Sequence, residues 1–464
     1  MSSRKFKRSI LGGLVALAVA GVPLTASAES LGDALASAYR NSGLLDQNRA
    51  TLRATDEGVA TALGDLRPSI GYTGQISRSD SRVPGVGTIQ GEWTKQLTFN
   101  ATMELYTFGR NKLAVDVAKE AVLATRETLL NIEQQVLSSA VAAYMSVREA
   151  QALVNLRDNA VRLNVQNLRA SRDRFEVGEI TRTQVSQVEA QLANARAQLA
   201  SAQGELSSAR ETYKVAIGNY PGTLSSPPSV RLPAKSVDEA VSIARSNHPA
   251  IKTLQHRAAA ADLAVEIAER SMLPTIEGSA RVTFVDDLGT QDRNVGVTAS
   301  GPIYQGGKIA SAVRKAIAER DSSRAALLQA AREVEQSVRS NWALLNVYGA
   351  AEQASQTYVQ AQRVALNGVR EETDLGASTT LDVLDAEQDL LDAQVSAIQA
   401  QIAREAQYFF VLQSVGALTA SNLKLNVPIY DPAAYYNAVK DGPTSYVSPE
   451  GEKLDRVLKS LGRN

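Results

Sequence analysis

Four aspartates recur at spacings of three, four and three residues in this 464-residue chain. Asp382, Asp385, Asp389 and Asp392 would form one acidic stripe on a helix that begins near Thr379. The helix macrodipole favours an aspartate near the helix start, which accounts for Asp382 but not for all four. Repeated around the narrow opening of an oligomeric pore, Asp382 and Asp385 would make rings of negative charge that select cations. A solvated helix face is the alternative.

The chain contains few of the residues that usually bind metals or act as nucleophile and base in catalysis. The chain has no cysteine and two histidines, His248 and His256, which excludes disulfides, thiolate ligands and most metal or triad chemistry. Both histidines fall in one apparent helix, Val237 to Met272, and we expect surface or packing roles for them. Gly301 to Lys308 lacks the order of a phosphate-binding loop and indicates a strand-to-helix turn. We therefore predict a protein that is not an enzyme and holds no metal or cofactor.

The first 28 residues have the three parts of a secretory signal peptide. Four basic residues precede an apolar run, Ile10 to Val22, and Ala26-Ser27-Ala28 ends the segment. The run is shorter than the roughly 20 residues that a helix needs to cross a bilayer. Removing residues 1–28 takes four of the 49 basic residues and none of the 49 acidic ones, for a net charge of about −4. This balance does not favour a nucleic-acid partner.

The rest of the chain contains an internal repeat. Pro68 returns as Pro274, 206 residues later, and farther along the separation becomes 198, as between Gly178 and Gly376. The first copy is therefore longer than the second, and the extra residues lie in a segment from Ser77 to Gly91 that we predict to be a loop, because loops tolerate insertions. In each copy the pattern predicts a helix, a strand, a loop, a second strand, a long helix, a turn and a shorter helix, in that order. We predict a first structural repeat over residues 29–225 and a second over 226–420. The C-terminal tail, residues 421–464, is predicted to be disordered or to pack on the outside of the helices in an equatorial position, around the middle of their length.

Four segments alternate polar and apolar residues with the period of a β-strand. Strands of nine or ten residues cross a bilayer when tilted, and four cannot close a barrel, so a membrane sheet would have to be shared between chains. A half-buried sheet in water shows the same alternation. In a membrane barrel the polar lumen side chains would be Gln96, Thr98, Asn100 and Thr102, and the interfacial aromatic belt would contain Trp93, Tyr106 and Tyr304.

Two 66-residue stretches without proline, Arg110 to Phe175 and Lys308 to Thr373, predict long helices. Each would extend about 99 Å at 1.5 Å per residue. Shorter helices, Leu31 to Leu66 and Arg182 to Gly218, would stack end to end beside one long helix. The heptads of Arg182 to Gly218 are typical of a coiled coil. The predicted fold class is mainly α, with long coiled-coil helices, a membrane β-barrel and two internal structural repeats.

Four motifs resemble the TolC family of outer-membrane efflux proteins. They are LGDALASAYRNSGL from Leu31, LYTFGR from Leu105, PIYQGGK from Pro302 and GASTTLDVLDAEQDL from Gly376. The resemblance implies a homotrimer in the outer membrane of a Gram-negative bacterium, with a twelve-stranded barrel that continues into a periplasmic α-helical barrel. It also implies export of toxic compounds, drugs or proteins, as in type I secretion. The implied partners are a periplasmic adaptor (membrane fusion) protein and an inner-membrane RND pump or ABC exporter.

By the same resemblance, the turns after the two long helices form the tip of the tunnel, where it closes and meets its adaptor. The tip residues are Gly178, Thr181, Gly376 and Thr379. Family members latch this tip with an arginine and a tyrosine facing an acidic residue. The aligned positions here are Ser378, Thr373 and Gln184, so other contacts must hold the tip. The alternative function is a coiled-coil structural or adhesive cell-envelope protein without a channel, which would not require four strands at matching points of a repeat.

Overall fold

The computed structural model describes residues 29–443 except 86, 90, 92, 229 and 286–289, together with residues 453, 456 and 457. The predicted signal peptide, residues 1–28, lies outside the described residues. So does most of the tail beyond residue 443.

Helices dominate the chain, and strands interrupt them at two places. The elements up to residue 217 are α1 (Leu31–Asn41), α2 (Gly43–Gly64), β1 (Ser69–Arg78), β2 (Ser81–Val83), β3 (Gly87–Ile89), β4 (Trp93–Tyr106), α3 (Arg110–Glu176) and α4 (Arg182–Ile217). The remaining elements are α5 (Val237–Asn247), α6 (Pro249–Arg270), β5 (Thr275–Val285), β6 (Thr290–Ser300), α7 (Lys308–Asp374), α8 (Thr380–Val415) and α9 (Ala434–Val439).

The long helices α3 and α7 begin and end within one residue of the predicted bounds. Each follows a glycine in the left-handed conformation, Gly109 at φ 80° and Gly307 at φ 81°. A residue with a Cβ atom is strained there, so glycine lets the chain turn from strand to helix within a few residues. The predicted turn in Gly301 to Lys308 is therefore present.

The prediction of continuous helices over Leu31 to Leu66 and Val237 to Met272 was wrong. The first is broken at Ser42, which has extended backbone and accepts a hydrogen bond on its Oγ from the Leu45 N–H at 3.2 Å. The second is broken at His248, because Pro249 has no N–H and disfavours helical backbone in the residue before it. In each place a capping residue ends a short helix and starts the next.

The strands form an antiparallel sheet in the order β1-β4-β5-β6. Their lengths are 10, 14, 11 and 11 residues, so β4, β5 and β6 are longer than the predicted nine or ten. The excursion after β1, predicted as a loop, contains the small β2–β3 hairpin. Strands β1 and β6 are the edges of the sheet, and within the described residues no other strand pairs with their outer sides.

The main hydrophobic core lies where α1, α2, α4 and α8 pack on α3. Tyr144 of α3 and Tyr213 of α4 are fully buried at its centre, with ring centroids 6.4 Å apart. The Tyr144 hydroxyl lies 2.9 Å from the Glu29 backbone oxygen and 2.8 Å from that of Ser225, and the Tyr213 hydroxyl donates to the Glu29 carboxylate at 2.8 Å. The residue that follows the predicted cleavage site is thus anchored in the core.

The C-terminal segment packs beside α2 rather than extending the helical bundle. It includes the short helix α9, which the sequence pattern did not predict. The Tyr435 hydroxyl of α9 donates a hydrogen bond to Glu57 of α2 at 2.6 Å. Among the residues that the structure describes, no helix is both long and apolar enough to span a membrane.

Candidate channel tip and strand collar

The first tip turn joins α3 to α4 through Gly178. This glycine has φ 79°, and the Glu179 N–H behind it donates to the Arg174 carbonyl at 2.9 Å, which closes the end of α3. Thr181 then caps α4: its Oγ1 accepts from the Gln184 N–H at 3.4 Å, and the Gln184 Oε1 accepts from the Thr181 N–H at 2.8 Å. This reciprocal pair is a capping box, which fixes the direction in which the chain returns.

The second tip turn repeats this chemistry between α7 and α8. Gly376 also has φ 79°, and Thr379 caps α8. Here the residue that completes the capping box is Asp382, whose Oδ2 accepts from the Thr379 N–H and hydroxyl, both at 2.7 Å. The two hydrogen bonds from Thr379 hold the pKa of Asp382 below its ordinary value. Asp382 therefore stays ionised and fixed in direction, as the macrodipole argument expects.

The four aspartates predicted as an acidic stripe all lie on α8 and are all exposed. Leu384, between Asp382 and Asp385, is instead buried against the neighbouring helices. Asp392, at the far end of the stripe, accepts hydrogen bonds from the Gln388 side-chain amide at 3.0 and 3.1 Å. The stripe thus presents an acidic helix face that the protomer itself leaves open.

The three positions that align with the family latch are engaged locally. The Ser378 hydroxyl donates to Glu372 at 2.8 Å, and the Thr373 hydroxyl donates to the Val369 carbonyl of its own helix at 2.8 Å. Gln184 serves the capping box of α4. These side chains stabilise their own turns and do not link one helical hairpin to the other.

Glu387 makes the link that sequence reasoning missed. One carboxylate oxygen accepts from Arg370 of α7 at 2.6 Å, and the other accepts from Asn167 of α3 at 2.8 Å. Because Glu387 itself is on α8, three helices meet at one carboxylate. Arg172 and Glu189 form the corresponding pair between α3 and α4, also at 2.6 Å, and among the described residues no third side chain joins them. The sequence contained a signal for this pair: Arg370 and Glu387 each lie 198 residues after their counterparts, Arg172 and Glu189, which is the separation of the internal repeat.

The predicted lumen residues share one face of β4. Gln96, Thr98, Asn100 and Thr102 are half-buried, whereas the apolar Leu97 and Phe99 between them are exposed. On this polar face the hydroxyls of Thr98 and Thr283 lie 3.2 Å apart, and Asn100 is paired in register with Arg281. Strand β4 therefore has its polar face half-buried and its apolar face exposed, the reverse of an ordinary half-buried strand, whereas the edge strand β1 is exposed on both faces.

The exposed face carries a band of aromatic rings. Tyr72, Phe99 and Phe284 pack across three strands with centroids 6.5 and 6.4 Å apart. Trp93 and Tyr106 occupy opposite ends of β4 and are 60% and 54% exposed. Tyr304, in the turn that follows β6, is 86% exposed. Such exposure of large apolar side chains indicates a surface that another phase or another molecule covers.

Both histidines have structural contacts. His256 of α6 lies 2.8 Å from Glu120 of α3. His248 accepts a hydrogen bond on Nδ1 from the Ala250 N–H at 3.2 Å, and burial lowers the pKa of its imidazole. Across the described part of the chain, no group of three or more His, Cys, Asp and Glu side chains could hold a metal ion.

An antiparallel sheet that exposes its apolar side chains, joined to helices about 100 Å long, is consistent with an outer-membrane channel protein. The family model for outer membrane efflux proteins matches residues 34–219 and 240–416. The chain therefore belongs to the outer membrane efflux protein family, and it is an efflux channel of the outer membrane of a Gram-negative bacterium.

Named relatives and solved structures agree with this assignment. The outer membrane efflux protein BepC of Brucella suis is 34% identical over 94% of this chain and 97% of its own length. The outer membrane protein TolC of Salmonella enteritidis is 23% identical over 98% of this chain and 94% of its own. The CmeC outer membrane channel of Campylobacter jejuni has the same fold, with a TM-score of 0.75, 16% identity, and coverage of 90% of this chain and 91% of CmeC.

Proposed function

We propose that three copies of this chain pool their sheets into a closed twelve-stranded barrel. The observation that carries the proposal is the sheet itself: within the described residues its edge strands β1 and β6 have no outer neighbour, and its apolar face is exposed. In hydrocarbon each unpaired backbone group costs several kcal/mol, so an open edge is not viable there. Pairing β1 of one copy with β6 of the next removes every edge. Twelve strands also leave room for a lumen, which the polar face of Gln96, Thr98, Asn100 and Thr102 would line.

The helices would continue this barrel as a tunnel in the periplasm. Each of α3 and α7 spans about 100 Å, and neither is apolar enough to lie in a membrane. Trp93 at one end of the strands, with Tyr106 and Tyr304 at the other, would form the two interfacial aromatic belts. Residues 29–225 and 226–420 would then be two repeats of one protomer, with the segment after 420 as an equatorial support.

The transported compounds would be toxic small molecules or drugs, and any protein cargo would pass by the same route. The names of BepC and of the family support efflux. The tunnel would receive its cargo from a periplasmic adaptor and an inner-membrane RND pump or ABC exporter. The two tip turns, with Gly178, Thr181, Gly376 and Thr379, would contact the adaptor, since they end the helices farthest from the strands.

At the tip, Asp382 and Asp385 would form the cation-selective aperture. Both are exposed on α8, and Asp382 is held in place by Thr379. Glu387 would hold the aperture closed within each protomer, because it ties α8 to α7 and to α3. This contact replaces the latch that Ser378, Thr373 and Gln184 do not form.

Conductance tests the channel directly. Purified protein in a planar bilayer is expected to give discrete ion-conducting steps, whereas a coiled-coil adhesive protein would give none. Absence of conductance in protein whose helical content is native would refute the proposal.

Cross-linking tests the shared sheet, and the chain is convenient for it because it contains no cysteine. Cysteine at Thr73 on β1, combined in turn with cysteine at Asp292, Asn294 or Gly296 on β6, is expected to give a disulfide-linked trimer for at least one pair. Cysteine at Thr73 alone is the matched control and should give no trimer. If no pair gives a trimer while conductance is present, the strand arrangement is wrong although the channel is not.

A further inference from the structure

A cavity of about 120 Å³ lies between the two helical hairpins, on the side of Glu387 away from the tip turns. Side chains from α3, α4, α7 and α8 line it. Its lining residues are leucines and alanine together with Asn, Gln, Arg and Glu, and the atoms that face the cavity are mostly apolar. Ala160, Leu366 and Leu384 in this wall are buried. A ligand here would touch both hairpins of one protomer at once.

Among the described residues, one buried polar atom in this wall, Asn164 Oδ1, has no hydrogen-bond partner. Asn164 is 9% exposed, and its amide nitrogen donates to the Ala160 carbonyl at 2.9 Å. That bond fixes the orientation of the amide and leaves Oδ1 as the acceptor. Within the described part of the chain, this buried oxygen receives no hydrogen bond. Burial has already removed water from Oδ1, so a donor placed against it restores an interaction that the folded protein lacks.

The charged groups at the edge of the cavity are already matched. The two charged side chains, Arg370 and Glu387, pair with each other, and Glu387 also accepts from Asn167. Of the neutral groups, the Gln191 amide donates to Gln388 at 3.3 Å. A charged ligand would meet no unpaired opposite charge and would lose its hydration. The lining therefore selects a neutral molecule.

The volume sets the size of that molecule. An apolar cavity of roughly 150 Å³ is known to hold benzene, so a cavity of about 120 Å³ accommodates about one six-membered ring. We propose that this cavity is a binding site for a small neutral aromatic compound with one hydroxyl or amino donor, of the phenol class, which donates its proton to Asn164 Oδ1. The site is separate from the acidic stripe of α8 and does not depend on transport through the tunnel.

The test compares 4-fluorophenol with 4-fluorotoluene, which have similar shapes and differ in the donor. Each is titrated into the purified full-length protein in detergent and followed by ¹⁹F NMR. Ala160→Leu, which fills the cavity, gives the background from detergent and is expected to bind neither compound at this site. Asn164→Leu keeps the side-chain size and removes the acceptor.

The expected result is saturable binding of 4-fluorophenol to the wild type beyond the Ala160→Leu background. In Asn164→Leu the affinity ratio of 4-fluorophenol to 4-fluorotoluene should fall at least about tenfold, because the hydroxyl is then buried without a partner. Circular dichroism shows whether each variant is folded, and the comparison of wild type with Ala160→Leu stands if Asn164→Leu is not. Equal signals from wild type and Ala160→Leu, or an unchanged ratio in Asn164→Leu, would overturn the proposal.

Discussion

Asp56 offers a measurable link between pH and stability. It lies on α2, its side chain is fully buried, and within the described residues neither carboxylate oxygen has a hydrogen-bond partner. Burial raises the pKa of Asp56 to about 7, although the Arg126 charge opposes this and the Glu57 charge adds to it. The buried carboxyl is therefore protonated at pH values where the same group in the unfolded chain is ionised.

The sign and size of the effect follow from that difference. Below the ordinary pKa of 3.8 the group is protonated in both states, and its contribution to stability is fully present. As pH rises from 3.8 through about 7, only the unfolded state releases the proton, and the free energy of unfolding decreases. At 1.36 kcal/mol per pKa unit the upper bound is about 4 kcal/mol. We expect about half of this, roughly 2 kcal/mol, because water and side chains rearrange around a buried charge.

Asp56→Asn removes the titration and keeps the shape. The variant should gain stability relative to the wild type as pH increases from the ordinary pKa of 3.8 to pH 8, by about 2 kcal/mol, with no further gain above pH 8. Denaturant unfolding followed by circular dichroism at each pH measures this difference, and taking the difference cancels the other titrating groups. Asp65→Asn, at the exposed end of α2, is the matched control for the change from Asp to Asn. A difference between Asp56→Asn and wild type that is independent of pH would refute the reasoning.

Three further predictions concern the tip. Replacing Asp382 and Asp385 by Asn should lower the cation preference of the channel, measured from reversal potentials in a salt gradient, and unchanged selectivity would remove the aperture proposal. Glu387→Gln should increase the time that the channel spends open in planar bilayers, because it weakens charge-assisted bonds to α3 and α7. Gly178→Ala should lower the free energy of unfolding by about 1 kcal/mol, since φ 79° is strained for alanine, as denaturant titration would show.

The controls for Glu387→Gln and Gly178→Ala are substitutions of the same type elsewhere in the chain. Glu189→Gln breaks the equivalent arginine pair within one hairpin, so it should leave gating unchanged; an equal effect of both variants would contradict a bridging role for Glu387. Gly204→Ala is within α4, where a Cβ atom meets nothing within 4 Å, and should raise the free energy of unfolding by about 1 kcal/mol. If Gly178→Ala also stabilised the protein, the strain argument would fail.

The elements that depend on local pattern were predictable, and those that depend on distant contacts were not. The alternation of polar and apolar residues around Phe99 correctly predicted which side chains share each face of β4. Gly178 and Gly376 correctly predicted where the long helices end. The break at His248 had a local signal in Pro249, but the helical periodicity continues across it and hid the break. Glu387 could not be assigned in the same way, because its partner Asn167 is 220 residues away in the chain.

The two halves of the chain have helices of identical length, and this limits how the protein can change. Helices α3 and α7 each have 67 residues, and α4 and α8 each have 36. Deleting seven residues from α3 alone would shorten that helix by about 10 Å, so the turn at Gly178 would end about 10 Å short of the turn at Gly376. The two turns could then no longer contact the proposed adaptor at the same height. A family member with a longer or shorter reach must therefore change all four helices together. Insertions in relatives should consequently occur in matched sets of whole heptads, or else be confined to loops such as the one that contains β2 and β3.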